Sequence, residues 1–143
     1  MNTVATASIP DAYVITPPTQ ATLSIAECTK LFPVHRVYCV GRNYAAHAVE
    51  MGHDPDKEPP FFFQKNPDNL ISDATSFPYP KASSDVHHEV ELLVALKSGG
   101  DDIAVEDALE CVYGYGVSLD MTRRDLQSEV KKLGRPWEIA KAF

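Results

Sequence analysis

HHEVELLVALK, residues 87–97, sets two histidines and two glutamates in the first half of an otherwise apolar run. In a β-strand successive side chains point to opposite faces. Val90, Leu92, Val94 and Leu96 then form an uninterrupted apolar stripe expected to face the core, while Glu89, Glu91 and Leu93 share the other face. Two carboxylates side by side repel, and each resists ionisation unless a positive charge sits between them. A hard divalent cation supplies that charge, and oxygen ligands favour Mg²⁺, Mn²⁺ or Ca²⁺ over zinc. The same E-x-E pattern also fits the solvent face of an edge strand, so the pair by itself leaves both readings open.

A second stretch bears on the choice. In YGYGVSLD, residues 113–120, alternation places Gly114, Gly116, Ser118 and Asp120 on one face and Tyr113, Tyr115, Val117 and Leu119 on the other. A strand face of glycine, serine and a terminal aspartate leaves room for a ligand or another backbone. Asp120 is then a third candidate carboxylate, or else the N-cap of the helix that follows.

The whole chain sets the bounds. Its 143 residues, 44% hydrophobic and 23% charged, suffice for one globular domain with a core. A formal charge of −7 and a pI near 5.1 argue against non-specific nucleic-acid binding and against docking on anionic lipid. Cys28, Cys39 and Cys111 are odd in number and lack CxxC spacing, which indicates neither a disulfide framework nor a zinc ribbon and fits a reducing cytoplasm. The first twenty residues have no basic region and no apolar stretch of signal length, and no later window approaches a membrane span. The expectation is a soluble cytoplasmic protein with neither nucleic-acid nor membrane partners.

Eleven prolines punctuate the chain, most of them between Pro10 and Pro80. AYVI (12–15) reads as a strand-like piece and ATLSIAECTKLFP (21–33) as a strand leading into a short helix. RVYCVG (36–41) has the content of a buried strand. NYAAHAVEM (43–51) reads as a helix capped by Asn43, with Tyr44, His47, Ala48 and Met51 on one face and Gly52 as its stop. Residues 54–85 read as loops around one strand, FFFQK (61–65). VEDALECV (105–112) is expected as a short helix, and TRRDLQSEVKKLG (122–134) as another, with Thr122 and Asp125 at the spacing of an N-terminal cap and Gly134 where helices end.

Five blocks, VGRNYAAHAVEMG, EPPFFFQK, HHEVEL, YGYGVSLDMTRRDLQ and GRPWEIAKAF, occur in this order. Together they resemble the fumarylacetoacetate hydrolase family, in its branch of acylpyruvate and fumarylpyruvate hydrolases. The resemblance covers 36–143 and leaves 1–35 as an N-terminal segment. It implies an α+β, mostly β fold, a mixed roll or barrel-like catalytic domain with short helices, apparently truncated, because family members usually continue for a further stretch of strands. It also implies that Glu89, Glu91 and Asp120 hold Mg²⁺ or Mn²⁺, and that His47 and Glu50 form a dyad that activates water beneath a lid. Arg42, Lys65, Arg124, Gln127 and Lys141 match positions that hold substrate oxygens or the oxyanion, with Lys141 counted among the catalytic groups. His87 and His88 flank the ligands without matching ligand positions.

The reaction so implied is hydrolysis of the carbon–carbon bond of a 2,4-diketo acid, with His47 taking a proton from water, Lys141 or Gln127 facing the oxyanion, and pyruvate leaving as an enolate. Fumarylpyruvate would give fumarate and pyruvate. Oxaloacetate decarboxylation and tautomerisation of a 2-hydroxy-dienoate use the same enolate chemistry and stay open, as does a non-catalytic fragment that needs its other half. A homodimer is expected from the family. Strands 88–97 and 112–120, left without neighbours, would present long apolar edges.

Overall fold

The computed structural model describes residues 13–41, 43–44, 60–72 and 76–143. Six strands occur among them, joined as three antiparallel pairs: β1 (Thr22–Ser24) with β2 (Leu31–Pro33), β3 (Val37–Gly41) with β4 (Phe61–Lys65), and β5 (Val86–Leu96) with β6 (Val112–Arg123). Two α-helices follow, α1 (Arg124–Lys132) and α2 (Glu138–Lys141), and two 3₁₀ segments, Pro67–Asn69 and Val105–Cys111, lie in the connections. The described chain is thus mostly strand with short helices, as expected, and no sheet closes into a roll or barrel among the described residues. None of its helices is long and apolar enough to cross a membrane. The expected helix over 43–51, with His47 and Glu50, lies outside the described residues, as does Arg42.

Two local expectations fail near the start. Residues 13–15 of AYVI run as a bend, and the segment after β1 turns back into β2 rather than entering a helix. The turn passes through Glu27 at φ 56, and the Cys28 N–H donates to the Ile25 carbonyl at 3.2 Å. A hairpin pairs the backbone of both short strands, whereas an isolated helical turn would have left most of its N–H and C=O groups open.

The β5–β6 register sets Glu89 opposite Asp120, Glu91 opposite Ser118 and Leu93 opposite Gly116. Residues directly opposite share a face, so alternation sorted the side chains correctly. Which face is covered is another matter. Val90, Leu92 and Val94, expected in the core, are 65%, 61% and 44% exposed, and Val117 across from them is 80% exposed. No described element lies over this stripe. The chain packs α1, α2 and β4 around the carboxylate end of the hairpin instead.

Helix α1 corrects the capping expectation. Thr122 belongs to β6, the N-cap is Arg123 with no side-chain cap, and the Arg124 N–H donates to the Asp85 carbonyl at 2.7 Å. Asp125 reaches sideways, accepting from Ser83 Oγ at 2.7 Å and from the Ser84 N–H at 3.0 Å, and so ties the start of the helix to the loop before β5. At the other end Gly134 takes φ 62, with its N–H on Lys131 and the Arg135 N–H on Val130, a Schellman stop that needs the glycine.

Among the described apolar side chains only Val34, Val130 and Ala140 are buried. Apart from Gly41, the other buried residues are polar: Asp120, Thr122, Gln127 and Lys141, with Thr122 the largest side chain fully enclosed. Alongside them Trp137 packs against Phe61 and Phe63, at ring distances of 5.0 and 5.7 Å. Gly41 is required there, since a Cβ would stand 2.3 Å from the Phe61 ring.

Candidate metal centre

Glu89 and Glu91 come from β5 and Asp120 from β6, and each offers a carboxylate oxygen within 4.8 Å of the others. The strand register alone brings them together, because Glu89 and Asp120 are direct partners and Glu91 lies one step along the same face. This is the one such group among the described residues. His87 is outside it, with Nε2 3.0 Å from Asp85 Oδ1 and Nδ1 accepting from Arg124.

Cationic side chains from three other elements close around the carboxylates. Lys141, at the end of α2, is buried and spends its ammonium on Glu89 Oε2 at 2.8 Å, Asp120 Oδ2 at 2.8 Å and Thr122 Oγ1 at 2.7 Å. The Phe63 ring faces that ammonium at 5.2 Å. Arg124, at the start of α1, donates to Glu89 Oε1 and to Gln127 Oε1. Lys65, at the end of β4, stands 2.7 Å from Asp120 Oδ1 and donates to the carbonyls of Met121 and Lys141. Glu89 and Asp120 thus meet three cations, which makes their buried charge tolerable, while Glu91 is paired with none of them.

The balance is uneven among the three acids. Burial works to raise the Glu89 carboxyl, but the hydrogen bonds and charges of Lys141 and Arg124 outweigh it and hold Glu89 below its ordinary value. Glu91 goes the other way: burial first, then the charges of Asp120 and Glu89, push it up. Among the described residues no hydrogen bond or ion pair reaches its carboxylate. Asp120 Oδ1 is buried and has the Lys65 ammonium 2.7 Å away as its charged partner, while two of the three donors of that ammonium go to backbone carbonyls. An under-compensated carboxylate, Glu91, within an all-oxygen cluster is what a hard divalent cation would satisfy.

Cys39, on β3, feels the same charges. Burial first, then Asp120, push its thiol up to about 11, so it stays protonated at neutral pH and supplies no thiolate nucleophile.

The sequence profile of the fumarylacetoacetate (FAA) hydrolase C-terminal family matches residues 36–143. The chain belongs to the fumarylacetoacetate hydrolase family. A mitochondrial oxaloacetate decarboxylase of Dictyostelium discoideum is 41% identical over 108 residues, 76% of this chain and 50% of that protein. An oxaloacetate tautomerase of Escherichia coli is 42% identical over 113 residues, 78% of this chain and 51% of that protein. In crystals, a fumarylpyruvate hydrolase from Pseudomonas aeruginosa in complex with Mn²⁺ and pyruvate superimposes with a TM-score of 0.88 at 50% identity, covering 92% of this chain and 58% of that one. This fumarylacetoacetate hydrolase family chain therefore spans about half the length of the curated relatives it matches.

Within the family frame, the structure gathers Glu89, Glu91, Asp120, Lys65, Arg124, Gln127 and Lys141 into one cluster. Arg42, His47 and Glu50 lie outside the described residues. Thr122 is the member that sequence reading missed. Its place two residues after Asp120, on the same strand face, was the available signal, hidden by its resemblance to a helix cap.

Proposed function

We propose that the chain carries the metal centre of a hydrolase that cleaves the carbon–carbon bond of a 3-acylpyruvate, with fumarylpyruvate giving fumarate and pyruvate. The observation that carries this reading is the meeting of Glu89, Glu91 and Asp120 on one strand face with the Lys141 ammonium among them. Mg²⁺ or Mn²⁺ held by the three carboxylates would supply Lewis-acid stabilisation of the developing enolate charge. Because Lys65, Arg124 and Lys141 already match the three carboxylates, any divalent cation leaves a positive surplus, which suits an anionic 2-oxo acid.

The chain's own groups then divide the work. Arg124 and Arg42 hold substrate carboxylate oxygens, with Lys65 beside them. His47, backed by Glu50, takes a proton from water as the water adds to the distal carbonyl, a task suited to a group titrating near neutrality. Gln127 accepts from Arg124 through Oε1, which leaves its amide N–H groups as donors, and with Lys141 it faces the oxyanion. Collapse of that oxyanion breaks the bond between the distal carbonyl carbon and its neighbour. The acid leaves with the new oxygen, and the pyruvate enolate takes up a proton. A roll-like closure of the sheet, a homodimer, a cytoplasmic setting and a role in aromatic catabolism belong to the same reading, and the bare Val90–Val94 stripe favours association.

Oxaloacetate decarboxylation or tautomerisation is the second reading, supported by the decarboxylase and tautomerase relatives. The test follows fumarylpyruvate absorbance and oxaloacetate loss in parallel, with Mn²⁺ or Mg²⁺ and again with EDTA. Metal-dependent loss of fumarylpyruvate with pyruvate formed supports the hydrolase. Turnover of oxaloacetate alone replaces it with the second reading, and no turnover of either favours a part that acts only with further chain.

A further inference from the structure

Thr122 is wholly enclosed, with 0% of its surface exposed, yet it is polar and sits at the centre of the charged cluster. Its single hydroxyl proton is directed to the Asp120 carbonyl at 3.2 Å. The oxygen is therefore an acceptor toward Lys141, whose ammonium, a group of three donors and no acceptor, lies 2.7 Å away. Glu89 and Asp120 take the other two ammonium protons. Of the three acceptors, Thr122 alone is uncharged and does not belong to the carboxylate group. A β-branched side chain on a strand has a restricted χ1, so this oxygen is held in place by its own backbone.

We propose that Thr122 is a positioning residue that holds the Lys141 ammonium beside the carboxylates independently of what those carboxylates bind. The inference rests on the metal-centre reading given above. When Glu89 and Asp120 turn their oxygens to a divalent cation, Lys141 loses two anionic partners, and Thr122 is the acceptor that remains. Without the hydroxyl, the buried ammonium depends on the carboxylates alone and competes with the cation for them.

The test is a double-mutant cycle in Mn²⁺ affinity, measured by calorimetry or by the free-Mn²⁺ electron spin resonance signal, with no substrate present. Thr122→Val keeps the shape and the strand preference and removes only the hydroxyl; Thr122→Ser keeps the hydroxyl. Thr122→Val is expected to weaken Mn²⁺ binding roughly tenfold, the scale on which residues supporting metal ligands act. Thr122→Ser should stay within about twofold of the parent, and Thr122→Val should add nothing in a Lys141→Met background. Unchanged Mn²⁺ affinity in Thr122→Val, or the same weakening by Thr122→Val when Lys141 is already Met, overturns the proposal. The affinity arm is read whether or not the parent chain turns over fumarylpyruvate, so failure of the hydrolase reading shows as absent turnover with the cycle intact. With turnover present, Thr122→Val should lower kcat with KM nearly preserved.

Discussion

The ammonium of Lys141 lies 2.8 Å from the carboxylate of Asp120, and both side chains are 3% exposed. An ion pair this enclosed is held against the cost of dehydrating both charges, so removing one partner strands the other. Lys141→Met should destabilise the metal-free protein by about 3 kcal/mol. Excess Mn²⁺ should recover part of the loss, because ligand that binds only the folded chain stabilises it. Thermal unfolding in EDTA and in Mn²⁺ measures both; equal stability of variant and parent in EDTA would show that the pair contributes nothing.

Glu91 behaves in the opposite sense. Its carboxyl is raised by burial and by its acidic neighbours, so ionisation at neutral pH costs the folded state stability. Glu91→Gln should therefore raise the metal-free stability slightly, by less than about 1 kcal/mol after solvent screening. The same change should remove Mn²⁺ binding at micromolar metal. A variant that melts lower and still binds Mn²⁺ would contradict the assignment twice.

Asp125 sets an acid limit on the junction between the loop before β5 and α1. The Ser83 hydroxyl and the Ser84 N–H hold its carboxyl at about 2, below the ordinary 3.8. A depressed carboxyl contributes stability that is present above its unfolded value and lost as pH falls through the folded one. For Asp125 that window runs from 3.8 down to about 2. Urea unfolding should find Asp125→Asn less stable than the parent near neutrality, with the gap narrowing through this window; a gap constant with pH would be inconsistent with the charged form being the one that is held.

Gly41 gives a packing prediction. A methyl group there meets the Phe61 ring at 2.3 Å, and that ring is in turn set edge-on against Trp137 at 5.0 Å. Gly41→Ala should cost about 1–3 kcal/mol, the range for overpacking. Trp137 is the single tryptophan, so its fluorescence reports the displacement directly. Adding Phe61→Leu should restore much of the loss, and strict additivity of the two changes would rule out the contact as the cause.

Much of the metal centre was legible because it depends on local periodicity. Glu89, Glu91 and Asp120 are sorted onto one face by alternation within two strands, a rule that needs only the side-chain period of two. Helix α1 and its glycine stop follow the same way. Three misreadings came from asking a local pattern a non-local question. Thr122 and Asp125 have the spacing of a cap, but their oxygens serve Lys141 and Ser83 through contacts at separations of 19 and 42 residues. The segment after β1 has turn residues compatible with a helix, yet pairing with β2 decides it. The apolar stripe of β5 has the pattern of a core face, and only the placement of the other elements shows it bare.

From its residues alone this chain determined its family, its acidic charge, the strand and helix periods and the three carboxylates that share a face. Tertiary structure decided that Lys141, 52 residues from Glu89, brings its ammonium into that face, and that Thr122 is the neutral acceptor beneath it. The physical reason is range: side-chain alternation is a property of neighbours along one strand, whereas charge balance in a buried cluster depends on which distant elements the fold brings within hydrogen-bond reach.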